Sequence, residues 1–175
     1  PHVGSRHVTN LACPGRSARF RFEAADRVDA HLSSVLEGSA IVHHLAGQPG
    51  VRPSWGNQFD RYVRDNVIAT QRLLEALKDA PIKRFVFAGS SSVYGEAERF
   101  PTKETALPRP VSPYGVTKLA AEHLTLLYTR NFCIPAISVR SFTVSGPPPP
   151  PNLAFPRLRP AWHTGPAERV LGRGL

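Results

Sequence analysis

Three short apolar runs, separated by two long stretches with helical periodicity, constrain the fold of this chain more than any other feature. The runs occupy residues 40–46, 84–88 and 134–139, and the helical stretches occupy residues 57–79 and 113–130. Strands that alternate with helices of this length are typical of βαβ units, whose strands lie parallel in one sheet. We therefore predict an α/β fold in which residues 41–46, 84–89 and 135–140 are parallel neighbours or near-neighbours.

The two helical stretches each repeat residues at spacings of three and four, which is the spacing of one helix face. In the first stretch these residues are Val63, Val67, Thr70, Leu74 and Leu77, and in the second they are Val116, Leu119, Ala120, His123 and Leu127. Pro81 ends the first helix, and Pro113 suits the first turn of the second, where its missing N–H does no harm. An alternating polar and apolar stretch at residues 19–24 predicts one further strand.

The net charge of +9 does not indicate nucleic-acid binding, because the excess charge lies at the two ends of the chain. Residues 1–22 carry four arginines and no acid, and residues 152–175 carry four arginines against Glu168. A nucleic-acid interface needs basic side chains clustered on one face of the folded body. We therefore expect no nucleic-acid partner.

The compartment and the metal content of the protein are predicted here from sequence features that the chain lacks. No run of about 18 apolar residues occurs, and the first residues show no apolar segment of a signal peptide. Cys13 and Cys133 share no motif spacing, which is typical of reduced thiols in a cytoplasmic protein. His43 and His44 have no accompanying ligand motif, so we interpret them as strand residues. We expect a cytoplasmic protein with no membrane partner and no metal.

Hydroxyl groups follow the second predicted strand, and a Tyr-Lys pair opens the second predicted helix. The segment 89–95 reads GSSSVYG, and Tyr114 precedes Lys118 by four residues, so that the pair shares one helix face. An ammonium group beside a phenol favours the ionised phenol, which can then accept a proton. Each feature alone is as readily a polar turn or a solvated helix face. Together, in this order, they indicate a catalytic site at the carboxyl ends of the strands.

These segments together resemble the extended branch of the short-chain dehydrogenase/reductase superfamily, the NAD-dependent nucleotide-sugar epimerases and dehydratases. The resemblance covers residues 19–147. Its matching segments are HHLAGQPGV at 43–51, DNVIATQRLLEAL at 65–77, FAGSSSVYGE at 87–96, SPYGVTK at 112–118 and VRSFTVSGP at 139–147. It implies a Rossmann-like parallel sheet with helices on both faces.

The resemblance also implies roles for individual residues. Tyr114 would be the catalytic acid and base, Lys118 would hold the nicotinamide ribose, and Ser90 would be the catalytic hydroxyl. Besides Tyr114 and Lys118, the residues that would contact NAD are Asp26, Arg27, Leu45, Ala46, Gly47, Asn66 and Phe142. Those that would contact the nucleotide sugar are Arg52, Ser91 and Thr143. Plainer structural roles stay open for four of these residues: Asp26, Asn66, Phe142 and Arg52.

The chain departs from the family pattern at both ends. No G-x-x-G-x-x-G precedes the first predicted strand, although such a loop presents backbone N–H groups to the pyrophosphate. Thr9 would stand where an acidic residue binds the ribose 2′-hydroxyl, so NADP stays open beside NAD. We expect residues 1–147 to form an incomplete Rossmann domain that lacks the first strand and the glycine loop. Residues 148–175 would be the Pro-rich, basic start of a truncated substrate lobe.

Within the family, this chain resembles an epimerase more than a dehydratase, because dehydratases place Asp-Glu where it has Ser91-Ser92. Two alternatives stay open: an NADP-dependent carbonyl reductase of the same fold, and a non-catalytic remnant or binding protein. Because the glycine loop is missing, we expect weak NAD binding or none and an inactive fragment. The family also forms dimers through the helices at 57–79 and 113–130, which predicts exposed apolar side chains on them.

Overall fold

The computed structural model describes residues 22, 23, 25, 26, 28, 31–97 and 99–143. Its helices are α1 (Leu32–Leu36), α2 (Phe59–Tyr62), α3 (Ala69–Leu77) and α4 (Pro113–Phe132), and a π-helical segment (Val63–Ile68) joins α2 to α3. Its strands are β1 (Ile41–His44), β2 (Arg84–Ala88) and β3 (Ala136–Val139). The predictions for Thr9, Arg27 and residues 148–175, and most of the predicted strand at 19–24, lie outside the described residues.

The three strands form one parallel sheet in the order β1-β2-β3. Ile41 pairs with Arg84 across β1 and β2, and Phe85 pairs with Ala136 across β2 and β3. The prediction of three parallel neighbouring strands is therefore confirmed. Because both pairings are parallel, all three carboxyl ends lie at one edge of the sheet.

The hydrophobic core lies between one face of the sheet and the helices. Phe85 and Phe87 of the central strand point into it and are almost fully buried. The helices contribute Leu36, Leu73, Leu74, Leu77, Ala121 and Tyr128. On the opposite face, Ile41, Ile137 and Val139 are exposed. The second layer of helices predicted for that face has no counterpart among the described residues.

The π-helical segment changes which side of the first helical stretch is buried. Val63 and Val67, predicted on the inner face, are only half-buried, whereas Tyr62 and Asn66 are buried in their place. Beyond the segment the prediction holds, since Thr70, Leu74 and Leu77 are all buried. The Ala69 N–H donates to the Arg64 carbonyl five residues earlier, so the turn holds more residues than an α-helical turn and shifts the inner face by one position.

Helix α4 turns its polar side inward and much of its apolar side outward. Its buried residues include Thr117, Lys118, Glu122 and Thr125. Val116 and Leu127, both in the predicted apolar face, are 48% and 53% exposed. The apolar face of α4 therefore does not supply the core. Among the described residues, no helix is both long and apolar enough to cross a bilayer.

Candidate active site

The candidate site lies where the chain leaves the carboxyl ends of the strands. The Ser91 N–H donates to the Ser141 carbonyl over 2.9 Å, so the segments that follow β2 and β3 are hydrogen-bonded to each other. In open parallel sheets this edge is where ligands bind.

Gly47, just beyond β1, lies against two of the predicted site residues. A Cβ atom placed on Gly47 would be 2.8 Å from Asn66 Oδ1 and 3.3 Å from Lys118 Nζ. A side chain cannot fit there unless these neighbours shift, so the position requires glycine. The structure thus brings Gly47, Asn66 and Lys118 together from three different segments of the chain, while their contact with NAD stays a prediction.

Asn66 is the hydrogen-bonding centre of this group. Its Oδ1 accepts from the Gln48 N–H over 2.7 Å, and its Nδ2 donates to the Gln48 carbonyl and to Thr117 Oγ1. The Thr117 hydroxyl in turn donates to the Tyr114 carbonyl over 2.9 Å. Because Asn66 is only 2% exposed, its side chain serves to fix the loop after β1 and the first turn of α4 relative to each other.

Lys118 ties helix α4 to the end of the central strand. Its ammonium donates to the Ala88 carbonyl over 3.0 Å and lies 5.3 Å from the centre of the Phe87 ring. The side chain is buried, with 7% of the residue exposed. The Lys118 charge is therefore held at the Ala88 carbonyl, and Ala88 precedes Ser90 by two residues. Lys118 itself follows Tyr114 by one turn of the helix.

The first turn of α4 positions Tyr114. Ser112 caps the helix by accepting the Gly115 N–H over 3.0 Å, and Pro113 follows it at the first helical position. The half-buried Tyr114 ring meets the Tyr62 ring edge-on at 6.2 Å between centres. The Tyr62 hydroxyl lies 2.9 Å from both the Pro49 and Gly50 carbonyls, which holds the loop beyond β1 close to this tyrosine pair.

Ser90 begins a 3-10 turn (Ser91–Val93) and is nearly buried. Its Oγ accepts the Ser92 N–H over 3.2 Å, which caps the turn. A Cβ atom on Gly115 would be 2.6 Å from the Ser92 carbonyl, so the turn packs directly on the first turn of α4. The serine turn and the Tyr114 turn are thus in contact, while a hydrogen bond between Ser90 and Tyr114 stays a prediction.

A cavity of about 240 Å³ opens beside the serine turn. It is lined by Ser91, Ser92, Ser112 and Phe142 and by residues of the segment that begins at Tyr94. A second cavity of about 390 Å³ adjoins that segment. The predicted catalytic residues line neither cavity, but Ser91 and Phe142, two other predicted site residues, line the smaller one, and among the described residues no predicted site residue lines the larger one. The smaller cavity is therefore the better candidate for the substrate.

Several predicted site residues lie at the margin of this group. Leu45, Ala46, Arg52 and Thr143 are exposed, and neither Arg52 nor Thr143 lines the smaller cavity. The Asp26 carboxylate accepts from Arg64 Nη2 over 2.8 Å and from the Val28 N–H over 2.9 Å. These contacts hold Asp26 beside the π-helical segment that carries Asn66.

The sequence analysis missed an ion pair behind the serine turn. Arg140, which follows β3, donates through Nε and Nη2 to the Glu122 carboxylate, the shortest of these bonds being 2.6 Å. The hydrogen bonds to Glu122 raise the pKa of Arg140 above its ordinary value. One signal was available: Glu122 continues the four-residue spacing of Tyr114 and Lys118 and so shares their helix face.

His44 of β1 has a structural role, whereas His43 is exposed. His44 Nε2 lies 2.9 Å from Thr70 Oγ1, and the His44 side chain is buried between strand and helix. Within the part of the chain that the structure describes, no group of three or more His, Cys, Asp or Glu residues could hold a metal ion.

Comparison with known proteins gives consistent matches. The sequence model of the NAD dependent epimerase/dehydratase family matches residues 3–175. The uncharacterized UDP-glucose epimerase YtcB of Bacillus subtilis (strain 168) is 49% identical over 140 residues, which are 80% of this chain and 44% of that protein. The UDP-glucuronate 4-epimerase of Thermodesulfobacterium geofontis (strain OPF15) is 36% identical over 147 residues, covering 82% of this chain and 45% of that protein.

Among solved structures, the UDP-glucuronic acid 4-epimerase from Bacillus cereus, in complex with UDP-glucuronic acid and NAD, superposes with a TM-score of 0.85. The two sequences are 44% identical, and the match covers 89% of this chain and 49% of the other. The chain thus spans a little under half the length of these three relatives.

Proposed function

The chain belongs to the NAD dependent epimerase/dehydratase family, and from this premise we propose that it carries the nicotinamide and sugar sites of a UDP-sugar epimerase. The observation that carries the proposal is the position of Lys118. The Lys118 side chain is buried, its ammonium is hydrogen-bonded to the Ala88 carbonyl two residues before Ser90, and Lys118 follows Tyr114 by one helical turn. A fixed cation at the carboxyl edge of a parallel sheet, beside a phenol, is suited to proton transfer.

The group of residues around Gly47 supports a place for NAD. Because Gly47 has no side chain, the loop after β1 packs directly against Asn66 and Lys118, and NAD would approach the sheet edge beside this loop. An ammonium can donate three hydrogen bonds, and in this proposal the Lys118 ammonium would donate to ribose hydroxyls. When bound, NAD would accept a hydride from a sugar carbon and later return it.

Tyr114 and Ser90 would handle the proton of that reaction. The Tyr114 phenolate would take the proton of the sugar hydroxyl as the carbon loses its hydride, so that the O–H and C–H bonds break and a C=O bond forms. The Ser90 hydroxyl would donate a hydrogen bond to the same oxygen. Return of the hydride to the opposite face, with the proton coming back from Tyr114, would invert the carbon.

The serine turn favours epimerisation over loss of water. Elimination of water needs a second acid and base pair beside the sugar, and the positions that could supply it hold Ser91 and Ser92. The cavity of about 240 Å³ would instead hold the sugar between hydroxyl groups and the Phe142 ring.

Activity is tested with UDP-glucuronic acid and UDP-glucose in the presence of millimolar NAD, with the product resolved by NMR. The missing glycine loop predicts weak NAD binding and an inactive fragment, whereas the proposed site predicts the C4 epimer once NAD is supplied at millimolar concentration. We expect Tyr114→Phe to lower the rate about 10²–10⁴-fold through the loss of proton transfer. Tyr128→Phe, the same substitution about four turns after Tyr114 on helix α4, is the matched control and should leave the rate unchanged. No epimer with either sugar, or equal rates for Tyr114→Phe and Tyr128→Phe, would overturn the proposal.

The outward apolar face of α4 supports a homodimer. Val116 and Leu127 are about half exposed, and Phe59 and Ile68 of the neighbouring helical stretch are also exposed. A second copy would cover these side chains, since contiguous apolar surface favours association. Leu127→Glu should lower the sedimentation coefficient to that of a monomer, whereas Leu107→Glu, at an exposed position outside the helices, should not. A monomeric parent chain would contradict the dimer.

A further inference from the structure

Residues 94–104 build one wall of the candidate sugar cavity, and the described residues of this segment form no helix or strand. Among its described residues, Tyr94, Ala97, Phe100 and Thr102 line the cavity, and Phe100 is 82% exposed. A segment with so little burial of its own needs contacts to the scaffold in order to keep one conformation.

Arg140 supplies such contacts with a single guanidinium group. Besides its bonds to Glu122, its Nη1 donates to the Glu104 carbonyl over 3.3 Å. Its central carbon lies 4.8 Å from the centre of the Tyr94 ring. The same side chain therefore contacts both ends of the 94–104 segment and helix α4.

The Glu122 end of this contact is rigid. The Glu122 side chain is 5% exposed, and that of Arg140 is 19% exposed. Glu122 lies one turn after Lys118, and its Oε2 would be 3.5 Å from a Cβ atom on Gly89, the residue before Ser90. The arginine is thus anchored directly behind the residues proposed to be catalytic.

We propose that Arg140 is a positioning residue that holds the 94–104 segment against α4 and so sets the shape of the sugar cavity. The inference rests on the proposed function for the identity of the cavity's ligand. A guanidinium is required because its planar fork can bond a carboxylate, a carbonyl and a ring face at once, which an ammonium cannot do.

The decisive variant is Arg140→Lys, which keeps a cation beside the buried Glu122 carboxylate and removes the fork. We expect the backbone amides of residues 99–106 to exchange hydrogen about tenfold faster, because the segment opens more readily once the Arg140 contacts with Glu104 and Tyr94 are lost. With UDP-glucuronic acid we expect KM to rise about tenfold while kcat and the Kd for NAD change less than twofold. Arg130→Lys, on helix α4 and outside the contacts of Arg140, is the matched control and should change none of these.

A second variant separates positioning from folding. Glu122→Leu combined with Arg140→Met replaces the buried ion pair by apolar side chains, an exchange that a protein core commonly tolerates. It should remain folded and show the same faster exchange at 99–106. Unchanged exchange in both variants would overturn the proposal, as would faster exchange with an unchanged KM. If the parent chain turns over no UDP-sugar, the proposed function fails, while the exchange comparison still decides whether Arg140 holds the segment.

Discussion

The two sides of the candidate cleft are built in different ways. On the cofactor side, defined here by Gly47, Asn66, Thr117 and Lys118, every side chain comes from or packs against a regular element, and the Asn66 and Lys118 side chains are bonded to the protein. On the sugar side, the described residues of the 94–104 wall form no helix or strand, and Phe142 is 61% exposed. Under the proposed function, the chemical step would therefore lie on the rigid scaffold and substrate selection on adaptable segments.

The largest expected effect tests the rigidity of the cofactor side. Asn66→Ala removes three hydrogen bonds and leaves the buried Thr117 hydroxyl and the Gln48 N–H short of partners. We expect the free energy of unfolding to fall by about 3 kcal/mol. Asn57→Ala, at an exposed position earlier in the same helical stretch, should change it by less than about 0.5 kcal/mol. Equal urea midpoints for the two variants would show that Asn66 does not organise this side.

The second test concerns what the cofactor side can bind by itself. The 175-residue sequence has no G-x-x-G-x-x-G to present backbone N–H groups to a pyrophosphate. Without several charge-assisted hydrogen bonds, we expect NAD to bind about a hundredfold more weakly than through such a loop. Calorimetric titration measures this, and a micromolar Kd would mean that other residues hold the pyrophosphate.

A smaller effect sharpens the role of the glycine beside Asn66. Gly47→Ala forces its Cβ against Asn66 Oδ1 and Lys118 Nζ, and we expect NAD affinity to drop about tenfold. Gly38→Ala is the control, since Gly38 has open space around it but a φ of +72°, so alanine there strains only the backbone. Gly38→Ala should lower stability and leave NAD affinity unchanged. The same loss of affinity in both variants would point to general destabilisation.

The smallest expected effect lies at the far end of α4, away from both sides of the cleft. Tyr128 donates a hydrogen bond to Glu75, and this bond, followed by Lys78, lowers the pKa of the Glu75 carboxyl below its ordinary 4.5. Burial, followed by the bond to Glu75, raises the pKa of Tyr128 above its ordinary 10.0. The pair therefore stabilises the fold fully between pH 4.5 and pH 10.0, the ordinary pKa values of the two groups. This stabilisation is lost as pH falls through the lowered pKa of Glu75, and it is also lost as pH rises through the raised pKa of Tyr128.

The Tm difference between the parent and Tyr128→Phe should accordingly be constant near neutral pH and shrink at both extremes. Thermal unfolding over a pH series measures it. A difference that narrows steadily through neutral pH would contradict this account of the pair.

The sequence predicted best those features that depend on neighbours along the chain. The strand and helix alternation and the four-residue spacing of Tyr114 and Lys118 are local, and the structure reproduces both. The pairing of Glu122 with Arg140 was not predicted, because it forms only once β3 has returned beside α4. The inner face of α4 was also ambiguous, since its buried polar residues are satisfied by partners that no periodicity shows.

The π-helical segment lets this helical stretch hold one additional residue without turning its two ends against each other. Successive residues of an α-helix are about 100° apart around the axis, so a residue inserted into a regular α-helix would rotate α2 by about that angle relative to α3. The wider π-helical turn takes up the additional residue, and Tyr62 keeps its contacts with the Pro49 and Gly50 carbonyls and with the Tyr114 ring. Deleting Val63 should therefore restore an α-helix and leave Tyr62 in place.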